Sequence, residues 1–98
     1  MGEFDNEVLE RVASNGANEA LVGAAAAFMR QSIASQYSYN FAALGRPIIQ
    51  YPQDMVAMQE LVWRVRPDLI IETGIAHGGS LVLNASMLAL LGYLRRVR

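Results

Sequence analysis

The stretch that decides the fold of this chain reads Leu69-Ile70-Ile71-Glu72-Thr73-Gly74-Ile75-Ala76-His77-Gly78-Gly79-Ser80. Its first three residues are apolar and two of them are β-branched, which predicts a short strand covered on both faces. A glycine-rich turn follows, and Ser80 is expected to cap the next helix. In open α/β sheets, ligands bind outside the carboxyl ends of the strands. Because Glu72 places a carboxylate at that point, the stretch predicts a binding site.

Two common nucleotide-binding motifs do not fit this turn. Gly74 and Gly79 have the spacing of a P-loop, but Ser80 stands where that motif needs lysine, and the chain contains no lysine. The dinucleotide fingerprint would put its second glycine at Ala76 and its third at Gly79, which is a partial match. A nicotinamide-dependent enzyme is therefore only the third hypothesis for this chain.

A third pattern fits the turn: an acidic residue at the strand end, one residue, glycine, three residues, then Gly-Gly-Ser. It resembles the first cofactor loop of class I S-adenosylmethionine-dependent methyltransferases that read E-x-G-x-x-x-G-x-S. Together with LGRPIIQ (residues 44–50), PQD (52–54) and RPDLIIETGIAHGGSL (66–81), it makes the chain similar to the cephalosporin hydroxylase family. The resemblance covers about residues 38–91. That family is methyltransferase-like and includes sugar O-methyltransferases.

The resemblance implies S-adenosylmethionine as cofactor and a small-molecule substrate in full-length relatives. Glu72 would hold the ammonium of the methionyl part, and Gly74 and Gly78 would let the cofactor approach the backbone. Ser80 is expected to act as a helix cap rather than as a ligand. The implied cofactor-binding residues are Glu72, Gly74, Ala76, His77, Gly78, Gly79 and Ser80. No catalytic residue and no metal ligand is assigned, and a divalent metal is implied for full-length relatives only.

The predicted fold class is α/β, an incomplete Rossmann-like methyltransferase core that is mostly helical with one or two short strands. Residues 1–37 are expected to form a helical region, and residues 38–98 the first βα unit of a truncated methyltransferase-like domain. Since one parallel-type strand lacks the neighbours that later crossover units supply, an N-terminal fragment, inactive alone, is expected. Whether the gene is truncated or the protein truly short stays open.

Local signals predict four helices. Their expected ranges are 4–13, 18–35, 52–66 and 79–91. Asn18 is a plausible N-cap, and Pro52 is suited to the first turn of a helix. Residues 36–45 are expected to form a loop, although the alternation of Tyr37, Tyr39 and Phe41 also allows a short strand or aromatic side chains over a pocket. Pro67 should push Arg66 towards extended geometry, and Gly92 should stop the last helix.

The alternative hypothesis is a small helical module that self-associates and has no catalytic role. In the second predicted helix, Val22, Ala26, Met29 and Ile33 form an apolar stripe. An amphipathic membrane helix is a weaker interpretation, because Arg30 is the one cation on the polar side. This hypothesis implies a homo-oligomer.

Composition narrows the remaining classes of function. The chain has 98 residues, a net charge of −1, 53% hydrophobic residues and one histidine. No basic field indicates nucleic acid, and no apolar run is long enough to span a membrane. With no cysteine, thiolate metal sites and cysteine nucleophiles are excluded. The acidic N-terminus lacks the features of a signal peptide, so a cytoplasmic protein is expected.

Overall fold

The computed structural model describes residues 2–96 and divides the chain into two compact units, Met1–Ser35 and Gln36–Arg98. The described residues are mostly helical, with one two-stranded antiparallel sheet. This architecture agrees with the predicted fold class, part of an α/β methyltransferase-like core. None of the helices in the described range combines the length and apolar character needed to cross a bilayer.

The first unit consists of two helices that contact each other, α1 (Glu3–Gly16) and α2 (Glu19–Ala34). The predicted cap of α2 is confirmed, since the side chain of Asn18 accepts a hydrogen bond of 3.1 Å from the amide of Leu21. The first helix continues to Gly16, one turn past its expected end. The sequence at Ser14, Asn15 and Gly16 therefore does not break the helix where the prediction ended it.

The second unit begins with a short 3-10 helix (Tyr37–Tyr39) and a hairpin of β1 (Phe41–Ala43) and β2 (Arg46–Ile48). Residues 36–45, expected as a loop, therefore contain a strand. Leu44 and Gly45 join the strands with φ angles of 48° and 82°, as a type I′ turn requires. Pro47 faces Ala42 at the non-hydrogen-bonded pair, so its missing N–H costs no ladder bond.

Two longer helices complete the second unit, α3 (Pro52–Val65) and α4 (Gly79–Arg96). They pack together around a small apolar cluster of Val62, Met87 and Leu91, which Ile70 and Leu83 flank. Pro52 occupies the start of α3 as predicted. The chain leaves α3 at Arg66 with a φ of 51°, so the expected extended geometry at this residue is wrong. The left-handed conformation lets the Arg66 guanidinium lie 3.9 Å from the centre of the Trp63 ring.

The last helix does not stop at Gly92, where the sequence placed its end. Glycine inside a helix costs about 1 kcal/mol relative to alanine. The extra turn gains contacts that offset this cost, because Arg95 donates to the carboxylate of Asp68 at 3.0 Å and to the carbonyl of Arg66 at 2.8 Å. Tertiary contacts therefore override the local stop signal.

The predicted buried strand before Glu72 is also absent. Residues 66–78, which we call the linker segment, contain neither helix nor strand. Leu69 is 72% exposed and Ile71 is 83% exposed, so the segment is not covered on both faces. A strand is defined by pairing, and no other strand among the described residues lies beside this one. The residues of this segment favour a strand, but the described chain offers no partner for one.

The start of α4 lies directly on β2, and this contact requires glycine. Gly79 is buried. A Cβ atom there would overlap the carbonyl oxygen of Pro47 and lie 2.7 Å from Cβ of Ile48. The close approach of α4 to the hairpin therefore depends on the absence of a side chain at this position.

We expect Gly79→Ala to destabilise the second unit by about 2 kcal/mol, because the added methyl forces the helix and the hairpin apart. Urea unfolding followed by circular dichroism measures the change. Gly92→Ala is the matched control, since nothing lies within 4 Å of a Cβ there and the same substitution should stabilise α4 by up to about 1 kcal/mol. Equal stability of Gly79→Ala and the unmodified chain would contradict the close contact.

Candidate functional site

The predicted glycine turn is present, and it leads directly into α4. We use the name glycine turn for residues 73–78. Gly74, Ala76 and Gly78 have φ angles of 70°, 52° and 85°. The left-handed conformation is easily adopted by glycine but costs an alanine about 1–2 kcal/mol. The turn is closed by a 2.9 Å hydrogen bond from the amide of Gly78 to the carbonyl of Ile75.

The carboxylate of Glu72 is held by side chains of α4. The hydroxyl of Ser80 donates to one carboxylate oxygen, and the side-chain amide of Asn84 donates to the other at 3.1 Å. Ser80 and Asn84 are four residues apart, so they lie on one face of the helix. All three side chains belong to half-buried residues. Glu72 is thereby oriented along the first two turns of α4, next to the glycine turn.

The prediction that Ser80 caps α4 is wrong. The helix begins at Gly79, and the carbonyl of Gly78 accepts the hydrogen bond from the amide of Val82 at 3.0 Å. Ser80 therefore already lies inside the first turn. Its hydroxyl donates to a carboxylate, which is a stronger acceptor than a neutral group.

His77 contributes its backbone rather than its imidazole to the structure of the turn. Its carbonyl oxygen accepts two hydrogen bonds from the Arg46 guanidinium, from Nε at 3.1 Å and from Nη2 at 2.8 Å. The residue itself is exposed.

Two cavities meet at Ser80. One has a volume of about 220 Å³ and lies between β2 and the glycine turn. It is lined by Pro47, Ile48, Ile49, Gly74, Ile75, Ala76, Gly79 and Ser80. The other has a volume of about 310 Å³ and reaches the carboxylate of Glu72. Its polar lining comes from Gln50, Glu72, Thr73, Ser80 and Asn84, and its apolar lining includes Met55 and Met58.

All seven predicted cofactor-binding residues fall within residues 72–80, and this stretch lies beside the two cavities. Five of them line a cavity directly: Glu72, Gly74, Ala76, Gly79 and Ser80. His77 and Gly78 lie at the end of the turn, against the side chain of Arg46. Within residues 2–96, no three acidic or histidine side chains come together as metal ligands.

Sequence reasoning missed two residues that hold this site. Asn84 had a detectable signal, since it is a polar residue inside an apolar run of α4 and one helical turn after Ser80. Arg46 lies in the stretch LGRPIIQ that carries the family resemblance, but its contact could not be predicted, because His77 is 31 positions away and the contact depends on how the hairpin meets the turn.

Comparison with known proteins identifies one family whose model matches this part of the chain. The family model described as rhamnosyl O-methyltransferase/CmcI matches residues 35–98, which is well over half of the chain. No curated protein and no solved structure gives a significant match. The matched range contains the hairpin, α3, the glycine turn and α4. The chain therefore belongs to the rhamnosyl O-methyltransferase/CmcI family, a methyltransferase-like family.

Proposed function

We propose that this chain carries the S-adenosylmethionine-binding turn of an O-methyltransferase of the cephalosporin hydroxylase type. The observation that carries the proposal is the placement of Glu72, whose carboxylate is fixed against α4 beside an open glycine turn. Membership of a methyltransferase-like family supports the same reaction class. We further propose residues 38–98 as the first part of that domain, in which the strand predicted before Glu72 has no partner among the described residues, and residues 1–37 as a separate helical region.

The residues of the turn fit the methionyl part of this cofactor. Nothing lies within 4 Å of the position that a Cβ atom of Gly74 would occupy, so a ligand can approach its backbone closely. A carboxylate has about four acceptor positions, and Ser80 and Asn84 use two of those on Glu72. The others remain for an ammonium group. Ala76, His77, Gly78 and Gly79 complete the wall of the turn.

S-adenosylmethionine, when bound, supplies an electrophilic methyl group on sulfur that can pass to a hydroxyl oxygen of an acceptor. The contribution of this chain is to hold and orient the amino-acid end, because such transfers depend mainly on alignment of the two reactants. The rhamnosyl acceptor in the family name is a candidate class for the full reaction. We propose none of the described residues as a base or a metal ligand for that step.

The volumes of the two cavities support the proposal that these residues form only part of a cofactor site. Pockets for drug-sized ligands occupy about 300–1,000 Å³. The cavity at the turn, of about 220 Å³, is smaller than that range, and the cavity at Glu72, of about 310 Å³, lies at its lower end. We therefore propose that the 98-residue chain contacts the methionyl part and leaves the nucleoside largely in solvent, without catalysing transfer alone.

We expect S-adenosylhomocysteine to bind the purified chain with a dissociation constant weaker than about 1 mM, equivalent to about 4 kcal/mol of binding free energy. Isothermal titration calorimetry measures this affinity. The control is a full-length member of the family in the same buffer, which should bind far more tightly. Micromolar binding by the 98-residue chain would contradict the proposal that the site is partial.

We expect Glu72→Gln to weaken the response of the turn to S-adenosylmethionine roughly fivefold to tenfold, since it removes the negative charge that attracts the ammonium group. The measurement is a titration of backbone amide chemical shifts at Gly74, Gly78 and Gly79. Glu60→Gln is the matched control, because Glu60 is an exposed acid on α3 away from both cavities.

A second pair of variants tests whether the orientation of Glu72 matters. Ser80→Ala removes the hydroxyl that reaches the carboxylate, whereas Ser86→Ala removes one that bonds only to the carbonyl of Leu83 in the same helix. Ser80→Ala should weaken the chemical-shift response to S-adenosylmethionine, and Ser86→Ala should not.

For the Glu72→Gln test, equal chemical-shift responses in the unmodified chain and in the variant would exclude Glu72 as an ammonium ligand.

The structure also favours testing self-association as a second candidate function. The predicted apolar stripe of α2 faces outward: Val22 and Met29 are exposed, and Ile33 is 68% exposed. A helix with an uncovered apolar stripe gains hydrophobic free energy when a second copy covers it. We therefore propose that association, where it occurs, involves α2.

We expect Ile33→Glu to shift any dimer towards monomer, because it places a charge in the apolar stripe. Size-exclusion chromatography with light scattering over a range of concentrations measures the mass. Gln31→Glu is the control, since Gln31 lies on the opposite face of the same helix. A monomeric unmodified chain at all concentrations would exclude this second candidate.

A further inference from the structure

The guanidinium of Arg46 connects the hairpin to the glycine turn. Its Nε and Nη2 atoms both donate to the carbonyl oxygen of His77, at 3.1 Å and 2.8 Å. The same side chain also lies beside Gly78, because a Cβ atom there would be 3.8 Å from Nη2. Arg46 therefore contacts the last two residues before α4 begins.

The hairpin contacts the next residue of the chain as well. Gly79 lies against the carbonyl of Pro47 and the side chain of Ile48. Three consecutive residues of β2 thus meet three consecutive residues at the junction of turn and helix. The hairpin therefore packs against the end of the glycine turn and the first residue of α4.

The glycine turn has little internal structure to maintain this conformation. It contains three residues with positive φ and is closed by the bond between Gly78 and Ile75. Arginine suits the task of holding it, because the planar guanidinium can direct two N–H groups to one acceptor and remains charged at every relevant pH. Lysine presents a single rotatable ammonium and cannot reproduce this geometry.

We propose that Arg46 is a positioning residue that fixes the glycine turn and the first amides of α4 for the cofactor. Its relevance to the cofactor rests on the function proposed above, whereas its effect on the turn does not. Arg46 is exposed, so it should contribute little to global stability and much to the order of the turn. The residue acts through the carbonyl of His77 and does not itself enter the reaction.

The test compares backbone amide hydrogen exchange in the unmodified chain, Arg46→Met and Arg46→Lys, without ligand. Methionine keeps an unbranched side chain but removes both donors. We expect exchange at Gly78 and Val82 to become about tenfold faster in Arg46→Met, the size expected for a lost hydrogen bond to a charged group. Arg46→Lys should show partial rescue. Exchange at the Arg66 amide, which closes α3 by bonding to Val62, should not change.

The matched control is Arg64→Met, because Arg64 is an exposed arginine on α3 in the same unit. It should leave exchange at Gly78 unchanged. Thermal melting of all four proteins shows whether folding is preserved. Unchanged exchange at Gly78 and Val82 in a folded Arg46→Met chain would overturn the proposal, and so would a uniform increase across α3 and α4.

A second readout separates this proposal from the proposed function. Addition of S-adenosylmethionine should change the chemical shifts of the Gly74 and Gly78 amides in the unmodified chain. At the same ligand concentration, the shift changes in Arg46→Met should be at least threefold smaller, because a disordered turn must be ordered again on binding. If the unmodified chain shows no shift, the proposed function fails while the exchange data still decide the role of Arg46. If exchange accelerates and the shifts remain equal, Arg46 does not position the turn for the cofactor.

Discussion

The arrangement of the second unit depends on the contact between Gly79 and the backbone of β2. This contact sets where α4 begins, since the helix cannot start closer to the hairpin or carry a side chain at that position. The start of α4 in turn sets the positions of Ser80 and Asn84, which hold the carboxylate of Glu72. It also sets the position of the last turn, where Arg95 reaches Asp68. The lack of a Cβ atom at Gly79 therefore determines how α4 and the hairpin, which position the candidate site, pack together.

The helix α4 supports the linker segment along its length. Near the start of the helix, Asn84 binds Glu72, and near its end Arg95 binds Asp68, so the segment runs antiparallel to the helix. Eleven helical residues from Asn84 to Arg95 span about 16 Å. Four residues from Asp68 to Glu72 span about 13 Å when fully extended. Since these lengths are similar, residues 68–72 can follow the helix between the two attachments without pairing in a sheet.

This geometry explains which features the sequence could predict. The helices, the Asn18 cap and the start of α3 at Pro52 depend on neighbouring residues, and they were predicted with small errors at the ends. The strand predicted at residues 69–71 is absent, although these apolar and β-branched residues favour β geometry. A strand needs a partner, and local sequence does not specify one. The continuation of α4 past Gly92 depends on Arg95 meeting Asp68, 27 positions away.

The same distinction applies to the candidate site. The turn and its acidic residue form one continuous motif, so the sequence alone was enough to propose all seven residues together. The interactions that orient them come from other elements, and of these only Asn84 had a local signal. Glycines in such a motif show where a ligand can approach, whereas the residues that fix the glycines are found only once the hairpin and α4 are in place.

The order of the site rests on hydrogen bonds rather than on a large core. The buried hydrophobic residues among those described are Ala43, Ile48, Val62, Met87 and Leu91. None of them comes from the linker segment, which adds only the partly buried Ile70 to the apolar cluster. A hydrogen bond contributes about 1 kcal/mol net. Two such bonds hold the carboxylate of Glu72, and two from Arg46 hold the carbonyl of His77. The glycine turn should therefore open more readily than the helices that flank it, as ligand-binding loops generally do. On the function proposed above, a cofactor bound at the turn would stabilise it by adding contacts that the core does not provide.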